Sequence, residues 1–156
     1  MSGQARILLV DDDSDIIETL KIVLEDNGYS VDTANTGKEA IDKSNANFYN
    51  LAIVDWRLPD MEGTALLKLF KETTPKMIKI MLTGFPSMKN AIDAVNAQAD
   101  AFLEKPIGPE KLFAKISDLL SQQEKVRQFN EQKVADFIHT RANELITANK
   151  VKKMNP

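Results

Sequence analysis

Five short apolar segments alternate with segments whose apolar residues recur at helical spacing, and no other feature constrains the fold of this chain more. Several of the apolar segments are continuous runs, which is typical of strands covered on both faces. Because crossovers between parallel strands are almost always right-handed, this alternation places helices on both faces of one parallel sheet. We therefore predict a doubly wound α/β fold. Its strands are expected at Arg6–Val10, Ser30–Thr33, Leu51–Val54, Met77–Leu82 and Ala101–Leu103.

The boundaries of several helices carry local signals. Asp15-Ile16-Ile17-Glu18 and Thr36-Gly37-Lys38-Glu39 have the spacing of a capping box, in which two side chains satisfy free amides at a helix start. Each box predicts that its first residue is the N-cap of a helix. Gly28 is expected to end the first helix, because glycine readily adopts the left-handed backbone found there. Gly108-Pro109 is expected to open the last helix, since proline is favoured in the first turn.

The composition is that of an intracellular globular protein. The chain has 156 residues, of which 43% are hydrophobic and 28% charged, enough for one domain plus an appendage. Without cysteine it has no disulfide, thiolate metal site or cysteine nucleophile, which is typical of a reducing compartment. It shows neither a signal-peptide pattern nor an apolar run near the roughly 20 residues of a membrane span. We therefore expect a cytoplasmic protein without a membrane partner.

The charge pattern argues against a chain that binds nucleic acid. The formal net charge is -3, whereas gripping nucleic acid needs a basic face. Residues 1–120 carry 13 Lys and Arg against 19 Asp and Glu, while residues 121–156 carry 7 against 4. The segment from residue 122 onward is too short for an ordinary helix-turn-helix output domain. We therefore expect no direct nucleic-acid partner.

Polar side chains follow four of the predicted strands, at the point where each strand ends. In a doubly wound sheet the carboxyl ends of the strands meet at one rim, where ligands bind. We therefore expect carboxylates, a hydroxyl and an ammonium to converge there. Clustered carboxylates repel one another unless a cation neutralises them, and Mg²⁺ favours such oxygen ligands. The residues are Asp11-Asp12-Asp13, Asp55, Thr83 and Glu104-Lys105-Pro106.

This combination of groups indicates phosphoryl transfer. A cation, a hydroxyl and a lysine can position and neutralise a phosphoryl group, which is most of what catalysis of its transfer requires. One carboxylate can itself take the group as an acyl phosphate. Asp55 is the hardest of these residues to explain structurally, because it directly follows an apolar run predicted to be a central strand.

The same residues, with their neighbours, resemble the receiver domain of bacterial and archaeal two-component response regulators. The resemblance covers about residues 5–121 and implies a flavodoxin-like sheet with the strand order 2-1-3-4-5. It divides the chain into a receiver domain at 1–121 and a helical extension or linker at 122–156. The matching segments are Ile7-Leu8-Leu9-Val10-Asp11-Asp12-Asp13, Val54-Asp55 with Leu58-Pro59-Asp60-Met61-Glu62-Gly63, Leu82-Thr83-Gly84, and Phe102-Leu103-Glu104-Lys105-Pro106.

The resemblance implies a metal site beside a phosphoacceptor. Asp55 would accept the phosphoryl group. Asp12, with help from Asp11, would hold Mg²⁺, and Asp55 and the backbone carbonyl of Arg57 would be further ligands. No other cofactor is expected, because the chain has neither a GxxxxGK loop nor a Rossmann glycine run.

The resemblance also implies a conformational switch. Thr83 and Lys105 would contact the phosphoryl oxygens, and Phe102 would be the aromatic ring whose rotamer follows Thr83 on phosphorylation. Gly84, having no side chain, would leave room for the incoming group. A cis peptide bond before Pro106, which costs only about 0.5–1 kcal/mol at proline, would hold the lysine loop.

Three alternatives fit the residues less well. Asp11, Asp13 and Asp15 match the start of a calcium loop, but isoleucines stand where its glycine and its bidentate glutamate are needed. The segment Asp11-Asp12-Asp13 is also similar to the D-x-D start of haloacid-dehalogenase-like phosphatases, which makes an Asp-dependent phosphatase the enzyme-class alternative. A purely structural α/β module is the third, and it predicts no Mg²⁺ binding at the rim.

The function implied by the resemblance is that of a signalling switch and not of a metabolic enzyme. The chain would take a phosphoryl group onto Asp55 from the phosphohistidine of a sensor histidine kinase, and it would catalyse only this transfer and a slow hydrolysis. It would signal through the face formed by its fourth helix, fifth strand and fifth helix. The signal would act on a downstream protein or on an output domain beyond this chain.

The last helix is expected to continue past the receiver domain. The apolar stripe of Leu112, Ile116 and Leu119 continues in phase, which predicts one helix from Pro109 to about Asn149. The outer half would carry an apolar stripe without a core to cover it. A second copy could cover it, which would make residues 109–149 a dimerisation element, and a linker is the alternative. The spacing is not a clean heptad, so a regular coiled coil is disfavoured. The continuing residues are Val126, Val134, Phe137 and Leu145.

Overall fold

A computed structural model of the chain describes residues 4–154. Within this part, five strands alternate with five helices, as the apolar pattern predicts. The strands are β1 (Arg6–Val10), β2 (Ser30–Ala34), β3 (Leu51–Asp55), β4 (Ile78–Thr83) and β5 (Ala101–Glu104). The helices are α1 (Ser14–Asp26), α2 (Gly37–Ala46), α3 (Gly63–Leu69), α4 (Met88–Asn96) and α5 (Pro109–Met154).

The strands form one parallel sheet in the order β2-β1-β3-β4-β5, which confirms the predicted doubly wound fold and its strand order. The central strands β3 and β4 are buried almost throughout because helices cover both faces. The chain reverses its direction of winding between β1 and β3. Sheets of this kind bind ligands in the crevice outside the carboxyl ends of the strands at such a reversal.

Two apolar cores, one on each face, hold the helices against the sheet. Helices α2, α3 and α4 cover one face, and α1 with the first turns of α5 covers the other. Alternate residues of each strand therefore enter different cores, as the two-residue period of a strand requires. Central side chains of the first core are Leu8, Val54, Leu66, Met81 and Ala94, and those of the second are Leu9, Leu24, Ile53, Ile80 and Ile116.

Three strands run one residue beyond their predicted ends, and β4 is shifted to begin at Ile78 and end at Thr83. The added residues are polar or small, so the apolar pattern stops before them. Their backbones still pair in register, with Asp55 opposite Leu82 and Thr83 opposite Glu104. Pairing continues because ladder hydrogen bonds are made by the backbone, whatever the side chain.

The start of α1 differs from the prediction. Asp13 is the N-cap, and its carboxylate accepts hydrogen bonds from the amides of Asp15 and Ile16 at 3.0 and 3.3 Å. The predicted start at Asp15 is wrong because Asp13 already satisfies those amides, so the chain becomes helical earlier. The strand β1 and the helix α1 are therefore joined by only three residues.

The other predicted helix boundaries are confirmed. Thr36 caps α2 by accepting a hydrogen bond from the amide of Glu39 at 3.1 Å. The Glu39 carboxylate reaches back to the amide of Asn35, one residue before the cap. Gly28 follows α1 with a φ of 91°, and α5 begins at Pro109.

Helix α5 is continuous from Pro109 to Met154, as predicted and slightly longer. Contacts divide the chain into two units, Met1–Leu120 and Ser121–Pro156. No side chain described within the second unit is buried. Its large apolar side chains are all more than half exposed, and they are Val126, Phe129, Val134, Phe137, Ile138, Leu145, Ile146 and Val151. None of the helices in the described part of the chain is both long and apolar enough to cross a membrane.

Candidate functional site

The register of the sheet brings the predicted rim residues to one edge. Val10 pairs with Val54, and Thr83 pairs with Glu104, so the residues just after β1 and β5 lie level with the ends of β3 and β4. Four segments far apart in sequence thereby deliver their side chains to the same place. The structure brings together Asp11, Asp12, Asp55 and Lys105 at this rim, with Thr83 at the adjoining end of β4.

The carboxylates form a compact cluster. Asp11, Asp12 and Asp55 each offer one oxygen, and these oxygens lie within 4.8 Å of one another. Asp11 is 2% exposed, Asp55 is partly buried and Asp12 is exposed, so the cluster has an open side. Hard oxygen ligands with room for water are what Mg²⁺ requires, so these residues fit that ion.

The ammonium of Lys105 bridges two of these carboxylates. Its Nζ lies 2.8 Å from Oδ2 of Asp11 and 3.0 Å from Oδ1 of Asp55. The loop that carries the lysine is held by a backbone hydrogen bond from Lys105 to the carbonyl of Thr83, at 2.7 Å. The Lys105-Pro106 peptide bond is cis, as expected from the sequence. A positive group therefore stands beside the oxygen of Asp55.

The electrostatics of the cluster set Asp55 apart from an ordinary surface carboxylate. Burial raises the pKa of Asp55, and the charges of Asp11 and Asp12 add to the rise against the opposing hydrogen bond from Lys105. Burial by itself would lower the pKa of Lys105, but its hydrogen bonds to Asp11 and Asp55 outweigh that effect and raise it. The lysine therefore stays charged, and added positive charge would stabilise the ionised form of Asp55.

Thr83 is fully buried at the end of β4. Its Oγ1 accepts a hydrogen bond from the amide of Phe85 at 3.0 Å. Because the oxygen acts as the acceptor, the hydroxyl proton can still be donated to another group. A Cβ added at Gly84, the next residue, would meet no atom within 4 Å outside its chain neighbours. Gly84 therefore does not obstruct a group that approaches the end of β4.

An aromatic contact links the end of β3 to β5. Trp56, which directly follows Asp55, meets the ring of Phe102 edge to face, with 5.9 Å between ring centroids and an interplanar angle of 81°. Such a pair stabilises by about 0.5–1.5 kcal/mol beyond its burial. Phe102 packs against the core and is only partly exposed. The sequence singles out Phe102 but not its partner, since no local signal joins residues 46 positions apart.

The loop after β3 is tied to helix α2 by Asp60. Its two carboxylate oxygens accept hydrogen bonds from the amides of Gly37 at 2.8 Å and Lys38 at 2.9 Å. These bonds lower the pKa of Asp60 and satisfy free amides at the start of α2. In the sequence Asp60 belongs to the matching motif but has no evident role, because the helix it caps lies more than 20 residues earlier.

Gly63 closes the same loop where its backbone passes close to Asp55. Its amide donates a hydrogen bond to the carbonyl of Trp56 at 2.7 Å. A Cβ at this position would lie 2.3 Å from the backbone oxygen of Asp55, so only glycine fits. Arg57, at the other end of the loop, forms an isolated bridge with Glu62. The role of the Arg57 carbonyl as a metal ligand stays a prediction.

Sequence comparisons agree on one family. The model of the response regulator receiver domain matches residues 7–117. The alginate biosynthesis transcriptional regulatory protein AlgB of Pseudomonas syringae pv. tomato is 38% identical over 110 residues, which are 70% of this chain and 25% of AlgB. The transcriptional regulatory protein GlrR of Escherichia coli K12 is 36% identical over 118 residues, which are 76% of this chain and 27% of GlrR. The chain thus spans about a quarter of the length of these relatives.

Solved structures point the same way. The response regulator receiver domain protein (CheY-like) from Methanospirillum hungatei JF-1 is 46% identical with a TM-score of 0.75, covering 79% of this chain and 98% of that one. The beryllofluoride-activated NtrC4 receiver domain dimer is 34% identical with a TM-score of 0.71, covering 76% of this chain and 98% of that one. Nothing in these matches supports a haloacid-dehalogenase-like phosphatase. This chain belongs to the response regulator receiver domain family of two-component signalling systems.

Proposed function

We propose that Asp55 accepts a phosphoryl group from the phosphohistidine of a sensor histidine kinase. The observation that carries this proposal is the position of Asp55 in the cluster. Its carboxylate lies 3.0 Å from the ammonium of Lys105 and shares a possible metal site with Asp11 and Asp12. Positive charge on both sides of a carboxylate offsets its repulsion of an incoming phosphoryl group.

The transfer uses few groups. An oxygen of Asp55 forms a bond to phosphorus while the bond from phosphorus to the histidine nitrogen breaks, and the electron pair leaves with the imidazole. Asp11, Asp12, Asp55 and the backbone carbonyl of Arg57 would hold Mg²⁺, which would supply positive charge to neutralise the phosphoryl oxygens. Lys105 donates to one of these oxygens, and the hydroxyl of Thr83 donates to another. The phosphoryl group stays on Asp55, in contact with these same groups. The chain therefore promotes its own phosphorylation without turning over a metabolite.

The signal passes from Thr83 to the face formed by α4, β5 and the first turns of α5. Engagement of Thr83 by the phosphoryl group displaces the end of β4, and Phe102 changes its rotamer against Trp56. The exposed face of α4 is unusually apolar, with Met88 at 78%, Ile92 at 51% and Val95 at 70% exposure. Such a patch is typical of a surface that binds a partner.

The downstream partner is a protein or an output domain beyond this chain. The relatives AlgB and GlrR are transcriptional regulatory proteins about four times the length matched here. The net negative charge of this chain disfavours direct nucleic-acid binding by these residues. We therefore place the chain in the cytoplasm, between a kinase and a protein effector.

Residues 109–149 form a dimerisation element in this proposal. Every large apolar side chain that the structure describes in the second unit is more than half exposed, and burying each against a second copy is favourable by about 1.5–3 kcal/mol at most. The second unit by itself supplies no core for them. The related NtrC4 receiver domain is a dimer in its beryllofluoride-activated state. Phosphorylation at the rim would then alter how two receiver domains act on a shared effector.

Intact-mass measurement after incubation with Mg²⁺ and acetyl phosphate tests the phosphoacceptor. The wild-type chain should gain the mass of one phosphoryl group, and Asp55→Asn should not. Asp42→Asn, which changes an exposed carboxylate of α2, is the matched control and should label like the wild type. Labelling that survives Asp55→Asn in a folded protein would move the acceptor to another residue.

A further inference from the structure

A cavity of about 310 Å³ opens at the end of the sheet opposite the carboxylate cluster. It lies between the end of α3, the segment that leads into β4, and the end of α4. Lys79 is the second residue of β4 and Thr83 the last, so about 13 Å of strand at about 3.3 Å per residue separates the cavity from the rim. The cavity is therefore distinct from the phosphoacceptor site.

The side chain of Lys79 lines this cavity although the residue is only 9% exposed. Its backbone is fixed, because its amide donates to the carboxylate of Asp100 at 2.8 Å and its carbonyl accepts from the amide of Asp100 at 2.7 Å. Its ammonium makes no hydrogen bond or ion pair to any of residues 4–154. No side-chain nitrogen or oxygen of the described residues is both buried and without a partner, so this ammonium reaches the open side of the cavity. Lys79 therefore presents an unpaired positive charge to the cavity.

The charges around Lys79 are unbalanced. Lys68, Lys71 and Lys76 line the same cavity, with Glu72 as its one acidic residue in the described lining. Burial lowers the pKa of Lys79, and the charge of Lys76 lowers it further, against smaller opposing effects of Asp100 and Glu72. An anion placed among these lysines would reverse that effect, because it would supply both charge and hydrogen-bond acceptors.

We propose that this cavity binds a small multivalent oxyanion, bearing phosphate or several carboxylates, with the ammonium of Lys79 as its principal contact. The other lysines of the lining supply charge at the mouth. Binding would hold the end of α4 against the start of β4, because both contribute to the wall. A small anionic metabolite bound at this site would regulate the receiver domain independently of the kinase.

Calorimetric titration of the full chain without Mg²⁺ tests the site, with citrate and pyrophosphate as the two probes. Each should bind the wild type. Lys79→Met should weaken the binding by about tenfold or more, since charge-assisted hydrogen bonds are the strong ones. Lys79→Arg, which keeps the charge, should restore most of the affinity. Lys21→Met on α1, which packs on the other face of the sheet, is the matched control and should bind like the wild type.

Two further measurements distinguish a specific binding site from non-specific electrostatic attraction of the anion. At pH values between the lowered pKa of Lys79 and its ordinary 10.5, citrate binding should take up more protons in the wild type than in Lys79→Met, which appears as an enthalpy that depends on the buffer. Amide resonances of Gln98 and Asp100 should shift on binding, and that of Lys105 should not. Equal affinities of the wild type and Lys79→Met, or shifts centred on Lys105, would overturn the proposal, as would the absence of binding by both probes. A preference for one probe assigns the ligand to phosphates or to polycarboxylates.

Discussion

The guanidinium carbon of Arg57 lies 5.9 Å from the centre of the Phe85 ring. These residues stand two positions after Asp55 and two after Thr83, so the contact joins the loops that follow β3 and β4. A guanidinium over an aromatic face at this distance is attractive, by about 0.5–1 kcal/mol at an exposed site. The pair combines a charge that can meet phosphoryl oxygens with a ring that offers no hydrogen-bonding group.

This pair predicts a long-lived phosphorylated state. Hydrolysis needs a water held in line with the phosphorus atom, and neither residue supplies a base to position it. Phe85→Glu and Arg57→Asn should each speed dephosphorylation, by about tenfold, which is well below the effect of an optimised base. The decay of the phosphorylated intact mass measures the rate.

Phe129→Glu is the control for that experiment, because Phe129 is a similarly exposed ring in the second unit. It should leave the decay rate unchanged. If neither Phe85→Glu nor Arg57→Asn differed from the wild type, the account of the lifetime would be wrong.

Trp56 should report events at the cluster. It is the single tryptophan of the chain, it follows Asp55, and its ring contacts Phe102. Mg²⁺ and then beryllofluoride, which mimics an acyl phosphate, should each change its fluorescence. Asp12→Ala should raise the Mg²⁺ concentration at half-saturation by at least about tenfold, a loss typical even of partners that only orient a metal ligand. Asp15→Ala should not, and an unaltered titration in Asp12→Ala would remove Asp12 from the ligand set.

Lys79→Met should stabilise the fold at neutral pH. The pKa of Lys79 lies below its ordinary 10.5 in the folded chain, so between the two values the unfolded state binds more protons. The stability of the wild type therefore rises with pH across that window, and the advantage of Lys79→Met shrinks towards pH 10.5. Urea unfolding at a series of pH values measures it. A constant difference across the window would contradict the shifted pKa, and Lys21→Met should show no such trend.

Asp60→Asn should destabilise the chain through helix α2. The amide keeps one acceptor oxygen, so one of the two bonds to Gly37 and Lys38 is lost together with the charge. Thermal unfolding at neutral pH should show a midpoint a few degrees lower. The pKa of Asp60 is lowered from 3.8, so the difference should fade as the pH falls through and below that value. Asp42→Asn should leave the midpoint nearly unchanged, and an equal loss in both variants would contradict a specific capping role.

Sedimentation of the full chain against a version ending at Ser121 tests the dimerisation element. The full chain should sediment as a dimer and the shortened chain as a monomer. Phe137→Glu should weaken the dimer, because it places a charge in the exposed apolar stripe, whereas His139→Glu two residues away should have less effect. Equal monomer masses at high concentration would exclude the element.

The fold and the rim could be predicted because both depend on local patterns. Apolar runs and helical spacing can each be recognised within a short stretch of sequence. The carboxyl ends of the strands in a parallel sheet necessarily lie at one edge. Four rim residues could therefore be grouped from the sequence alone: Asp11, Asp55, Thr83 and Lys105. The predicted start of α1 was wrong because both Asp13 and Asp15 could cap the helix, and only the backbone geometry selects Asp13.

Contacts between distant segments were decided by the tertiary structure alone. No local pattern connects the groups that meet in the cap of α2 by Asp60, in the edge-to-face pair of Trp56 with Phe102, or at Lys79 in its cavity. In the sequence Lys79 interrupts an apolar strand, and nothing distinguishes it there from a polar residue that faces solvent. Whether its ammonium meets water or a half-closed cavity depends on where the ends of α3 and α4 pack, and that is set by the whole core.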